Sequence, residues 1–165
     1  MFKLSITFSF LLLLIASISA QNSPTTCSYN TGEYDFDLTP FANQSYDLFL
    51  QGSGTFYFNV CGANNYCSQG MGYEVSACLN PTSGALINVG EPQTSTFSLL
   101  NTENAFGVIV SSISSEKCTQ GTGNMASNIF LLCKPGVPNV MAVAAQETNP
   151  CLYELFMIGA AACPK

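Results

Sequence analysis

The chain has 165 residues, 47% of them hydrophobic, and a formal charge of −6, with no histidine, no tryptophan and no arginine. So apolar and aromatic a composition excludes a disordered chain, and an acidic surface repels nucleic acid and anionic membranes. Without an imidazole, Ser-His-Asp and Cys-His catalysis as usually built are excluded as well.

The N-terminus reads as a secretory signal peptide over residues 1–20. Lys3 is the only charge before Glu33, Phe8 to Ile15 is a short apolar core, and Ser17-Ile18-Ser19-Ala20 offers small residues for cleavage after Ala20. A bilayer span needs ~20 apolar residues, more than this run supplies. Residues 21–26 then form a short leader and 27–163 a single domain, of a size that supports one hydrophobic core. Past residue 20 there are three lysines against ten acids, a formal charge of −7. No later apolar run approaches membrane length, since the longest, Met157 to Ala162, stops at Cys163. The expected product carries no membrane span and resides in the secretory pathway, outside the cell or in a lysosomal or vacuolar lumen.

Short strands separated by turn residues follow. In Thr55-Phe56-Tyr57-Phe58-Asn59-Val60-Cys61 the apolar Phe56, Phe58 and Val60 share one face, the period of a half-buried strand. Gly84 to Val89 and Thr94 to Leu100 are weaker strand patterns. Phe106 to Val110, Asn128 to Cys133, Val140 to Ala144 and Leu152 to Ile158 are apolar runs of strand length. Gly52-Ser53-Gly54, Asn80-Pro81, Glu91-Pro92, Lys134-Pro135-Gly136 and Asn149-Pro150 punctuate them. No long amphipathic helix is visible. The pattern predicts an all-β fold, an antiparallel two-sheet sandwich or flattened barrel. Asn43-Gln44-Ser45 is an N-glycosylation triplet, which makes Asn43 a surface glycan candidate.

All eight cysteines (Cys27, Cys61, Cys67, Cys78, Cys118, Cys133, Cys151, Cys163) lie past the signal peptide. An even count in a secreted chain predicts a disulfide framework, and eight cysteines allow 105 pairings. Zinc is disfavoured, because there is neither histidine nor a Cys-x-x-Cys and oxidation competes for the thiols. No metal and no cofactor are expected.

The order of several segments resembles the mannose 6-phosphate receptor homology domain, a β-sheet lectin module. Tyr34-Asp35-Phe36-Asp37-Leu38-Thr39-Pro40 is similar to that family's Y-D-L-[ST]-P. Phe58-Asn59-Val60-Cys61-Gly62 is similar to its N-V-C strand, Ala77-Cys78 to its A-C pair and Glu116-Lys117-Cys118 to its G-G-D-K-C turn. The closing run from Cys151 to Cys163 follows C-x-Y-x-F-E-W-x-T-x-x-A-C at Cys151, Tyr153, Ala162 and Cys163 and departs from it at Leu155, Phe156, Met157 and Gly159. The resemblance implies a flattened β-barrel with disulfides Cys27–Cys61, Cys118–Cys151 and Cys133–Cys163, and leaves Cys67–Cys78 as a fourth bridge.

It also implies where a sugar would bind. The family's lectins hold mannose with a Gln, an Arg, a Glu and a Tyr. The Gln that follows the A-C pair is here Leu79, and the Arg eight residues before the strand cysteine is here Met125. The Glu and the Tyr match Glu147 and Tyr153. The guanidinium's planar fork of donors has no substitute in lysine. At about 1.5–3 kcal/mol for each charged hydrogen bond, losing Arg and Gln together removes about 3–6 kcal/mol, and about 1.4 kcal/mol is a factor of ten in affinity. The plainer readings are that Tyr153 packs in the core, that Glu147 is solvated in the polar loop Gln146 to Pro150, and that Leu79 and Met125 fill a closed pocket. Against these stands a site retuned for an apolar or peptide ligand.

Three functions follow from different classes. The first is a non-catalytic interaction module that has lost ordinary mannose and mannose 6-phosphate binding and meets a protein partner. The second is a lectin of altered specificity for a glycoprotein glycan, using Glu147, Tyr153 and nearby polar groups such as Asn124 or Gln120. The third, a glycosidase built on Asp35 and Asp37, has nothing to mark a nucleophile and is set aside.

Overall fold

The computed structural model describes residues 27–42 and 44–165. The expected signal peptide, the leader and the glycan candidate Asn43 lie outside the described residues. The fold is all-β with sheets packed face to face, as the strand pattern predicts.

A hairpin of β1 (Ser28–Asn30) and β2 (Asp35–Asp37) opens the domain. A four-stranded antiparallel sheet follows, in the order β3 (Tyr46–Leu50), β4 (Gly54–Phe58), β5 (Ala77–Pro81), β6 (Ile87–Gly90). The second sheet has five strands in the order β10 (Met141–Asn149), β11 (Leu152–Gly159), β9 (Asn124–Cys133), β8 (Phe106–Lys117), β7 (Thr96–Asn101). Here β11 runs parallel to β9, because the β10–β11 hairpin inserts its second strand between its first and β9. The two sheets come together along one side, where β10 lies beside β3.

Period-two alternation explains the core. Along β4, Phe56 and Phe58 are fully buried while Thr55 and Tyr57 face the other way. In β9 and β11 the same alternation turns Met125, Ser127, Ile129 and Leu131, and Tyr153, Leu155 and Met157, inward. Each apolar side chain so buried contributes about 1.5–3 kcal/mol. The strands run further than the apolar runs alone indicate. β8 has 12 residues and β10 extends to Asn149, which places Glu147 in a strand rather than in the expected loop. Gly107 marks where β8 presses against β9, since a β-carbon there would lie 1.9 Å from the Leu131 carbonyl oxygen.

The short helix α1 (Asn65–Met71) has no sequence expectation behind it. Seven residues are too few to show helical periodicity. Its signals are the caps: the Asn64 side chain accepts the Cys67 amide and Gly72 closes the C-terminus in the left-handed conformation. The Cys67–Cys78 bridge fastens it to β5 over a small cluster with Val75, Tyr57 and Leu86. Cys27–Cys61, Cys118–Cys151 and Cys133–Cys163 are bonded as the resemblance implies, and no described cysteine is free.

Candidate functional site

Four strands bring the four predicted site positions towards one end of the core. Leu79 on β5 pairs across the ladder with Phe56 on β4. The Phe56 ring reaches over to the opposite sheet and packs on Tyr153 of β11, with centroids 4.9 Å apart. Met125, at the start of β9, lies two residues from Ser127, which is the register partner of Tyr153. Leu79, Met125 and Tyr153 belong to one hydrophobic cluster and expose only 4%, 8% and 5% of their surfaces. Three of the four positions are therefore sealed, and two of them are apolar.

Glu147 is set apart from the others. It pairs with Tyr153 across the β10–β11 ladder but stays exposed. Its Oε1 accepts a hydrogen bond of 2.9 Å from the Cys151 backbone N–H. Cys151 has φ +66°, a left-handed conformation that is costly outside glycine. The carboxylate and the Cys118–Cys151 bridge hold this turn together. Burial raises the Tyr153 hydroxyl above its ordinary pKa of 10.0, and the adjacent Glu147 charge raises it further.

Glu147 also lines an open cleft of about 250 Å³ with Gln120, Thr148, Asn149 and Pro150. Its walls carry a carboxylate, two amides and a hydroxyl, the groups that suit neutral hydroxylated ligands. Gln120 belongs to this cleft. Asn124 does not, since its side chain is committed to the Ser114 carbonyl (2.7 Å) and to Lys117 (2.7 Å).

Reading the sequence alone missed the polar seam beside Tyr153. Ser112 and Ser127 face each other across β8 and β9, both buried, and Gly90 of the other sheet sits against them. A β-carbon on Gly90 would lie 2.8 Å from Ser112 Cβ and 2.9 Å from Ser127 Oγ, so glycine is what lets the sheets close here. Period two in Met125-Ala126-Ser127-Asn128-Ile129 does place Ser127 on the inner face, and that signal was available. Thr148 and Asn149 were missed for another reason, because their role depends on how the hairpin turns. Among the described residues no group of acids and cysteines could hold a metal ion.

No family model and no curated protein matches the chain. Solved structures do. Domain 11 of the echidna mannose 6-phosphate/IGF2R receptor superposes with a TM-score of 0.60 at 18% identity, over 85% of this chain and 96% of that one. Chicken IGF2R domain 11 gives a TM-score of 0.63 at 15% identity, over 86% and 94%. The chain has the fold of receptor domain 11. A more distant likeness, to the MRH domain of Yos9 solved with alpha3,alpha6-Man5, has a TM-score of 0.48 at 14% identity and covers 76% and 80%. Identities this low make domain 11 a guide to architecture, and the chemistry of the site rests on the side chains of this chain.

Proposed function

We propose that this protein is a secreted or lumenal, non-catalytic interaction module, a mannose 6-phosphate receptor homology domain that no longer binds mannose or mannose 6-phosphate in the ordinary way. The observation that carries the reading is that Leu79 and Met125, at the positions where lectins of that family place an amide and a guanidinium, are buried in the core cluster that also holds Phe56 and Tyr153. Glu147, the one retained acid, is engaged in holding its own turn. A phosphorylated sugar would meet a chain of net charge −6 with no arginine to clamp it. Its partner on this reading is a protein. The absence of histidine speaks against the commonest acid–base and nucleophilic sites.

The test restores what was lost. Leu79→Gln with Met125→Arg is expected to create mannose affinity that the wild type lacks, read by calorimetric titration with methyl α-mannoside. A folded double variant that stays inert would count against these positional matches, and competable mannoside binding by the wild type would overturn the reading. A second reading, a lectin of altered specificity for a glycoprotein glycan, is favoured by the polar Gln120–Glu147 cleft alone. It requires a hit in a glycan-array screen that Gln120→Ala abolishes.

A further inference from the structure

A second cleft, of about 310 Å³, opens at the other end of the five-stranded sheet. It lies where β9 and β11 finish, beside the β7–β8 turn. Ile158 in its wall is five residues along β11 from Tyr153, or about 16 Å at ~3.3 Å per residue. The two sites are therefore separate.

The cleft is built from unlike parts. Phe106, Leu132 and Ile158 supply apolar walls, and Lys134 lines the same space. The apolar surface continues past the cleft, since Ile158 pairs with Met141, which is 52% exposed. Lys134 makes no ion pair among the described residues, where the one salt bridge joins Lys165 to Asp37. Of the three lysines past residue 20 it is the one standing over an apolar wall. The volume is at the small end of ligand pockets, about 300–1,000 Å³.

We propose that this cleft binds a small amphipathic anion, a single-chain carboxylate whose apolar tail lies on Phe106, Leu132 and Ile158 and whose head meets Lys134. The net charge of the chain works against an anion, so preference for one requires the local lysine and is a sharp signature of the site. Octanoate, octylammonium and 1-octanol share a tail and differ in charge, and each is titrated into the purified protein with NMR observation. Octanoate is expected to bind saturably, to shift the resonances of Ala105, Phe106, Leu132 and Ile158, and to bind more tightly than octylammonium. Lys134→Gln should weaken octanoate about two- to fivefold, the range of an exposed charge pair, and leave 1-octanol unchanged. Lys134→Glu should invert the preference towards octylammonium. Ala105 also lines the cleft on the surface turn, so Ala105→Phe fills it without touching the core and should abolish binding while the near-ultraviolet dichroism stays native. Octylammonium binding at least as well as octanoate to the wild type would overturn the proposal. So would the absence of saturation, or unchanged binding by folded Ala105→Phe.

Discussion

Tyr153 is held in the core by its packing. Its ring is packed on Phe56 and its hydroxyl is raised above 10.0 by burial first and by Glu147 second. A tyrosine whose folded pKa exceeds its unfolded value holds its proton longer in the native state. Its contribution to stability is therefore complete below pH 10 and lost as pH rises above it. Ultraviolet or NMR titration should find Tyr153 deprotonating above the ordinary tyrosine value of 10.0. Glu147→Gln should lower its pKa only partway to the ordinary value, since burial is the larger cause. Full return to 10.0 in that variant would mean that the ring is not sealed. From sequence, Glu147 and Tyr153 stood out only by resemblance to a family pattern; their pairing across the β10–β11 ladder was not legible there. Nor was it legible that Glu147 serves the Cys151 turn, because the hydrogen bond depends on a left-handed backbone at a cysteine, which no local pattern announces.

Among the elements, β8 and the turn after β6 are closely constrained. Gly107 has φ +152° with the Leu131 carbonyl against it, so Gly107→Ala should destabilise by at least about 2 kcal/mol in denaturant unfolding. A smaller loss would mean that β8 can slide in its register. The turn after β6 is fixed by a buried acid. Glu91 Oε1 accepts from Asn88 Nδ2 (3.0 Å), Ser115 N (2.8 Å) and Ser115 Oγ (2.5 Å), while Oε2 accepts from Gln93 (2.6 Å). It ties the four-stranded sheet to β8 of the other. Glu91→Ala orphans these donors and should cost about 2–3 kcal/mol, with Glu91→Gln costing less because it keeps an acceptor. Equal losses in the two variants would show that packing, not hydrogen bonding, is at stake. The sequence marked Glu91-Pro92 as a break between strands and offered no hint of the carboxylate's partners, which include a strand residue 24 positions away.

At the scale of the molecule, the four bridges act on different parts of the structure. Cys27–Cys61 and Cys118–Cys151 border the main core, Cys133–Cys163 ties the end of β9 to the segment after β11, and Cys67–Cys78 closes 11 residues over a separate small cluster. Cys67→Ser with Cys78→Ser should therefore lower stability by about 2–4 kcal/mol and leave the main core native. Hydrogen exchange should speed up in α1 and remain slow in β9 and β11. Exchange that accelerates equally everywhere would show that α1 belongs to the same cooperative unit.

The sequence alone determined the class of the fold, since alternating Phe56, Phe58 and Val60 and closely spaced turn residues leave few alternatives to packed sheets. It also determined that no guanidinium reaches any ligand, because composition holds in every conformation. Composition and alternation are local properties, and they survive being read along a line. Only the tertiary structure decided which side chains share a space: Leu79 opposite Phe56, Phe56 on Tyr153, Glu91 bonded to β8, and Lys134 beside Phe106 and Ile158. Those neighbours lie on strands far apart in the chain, and their meeting is set by register and by how the two sheets close on each other.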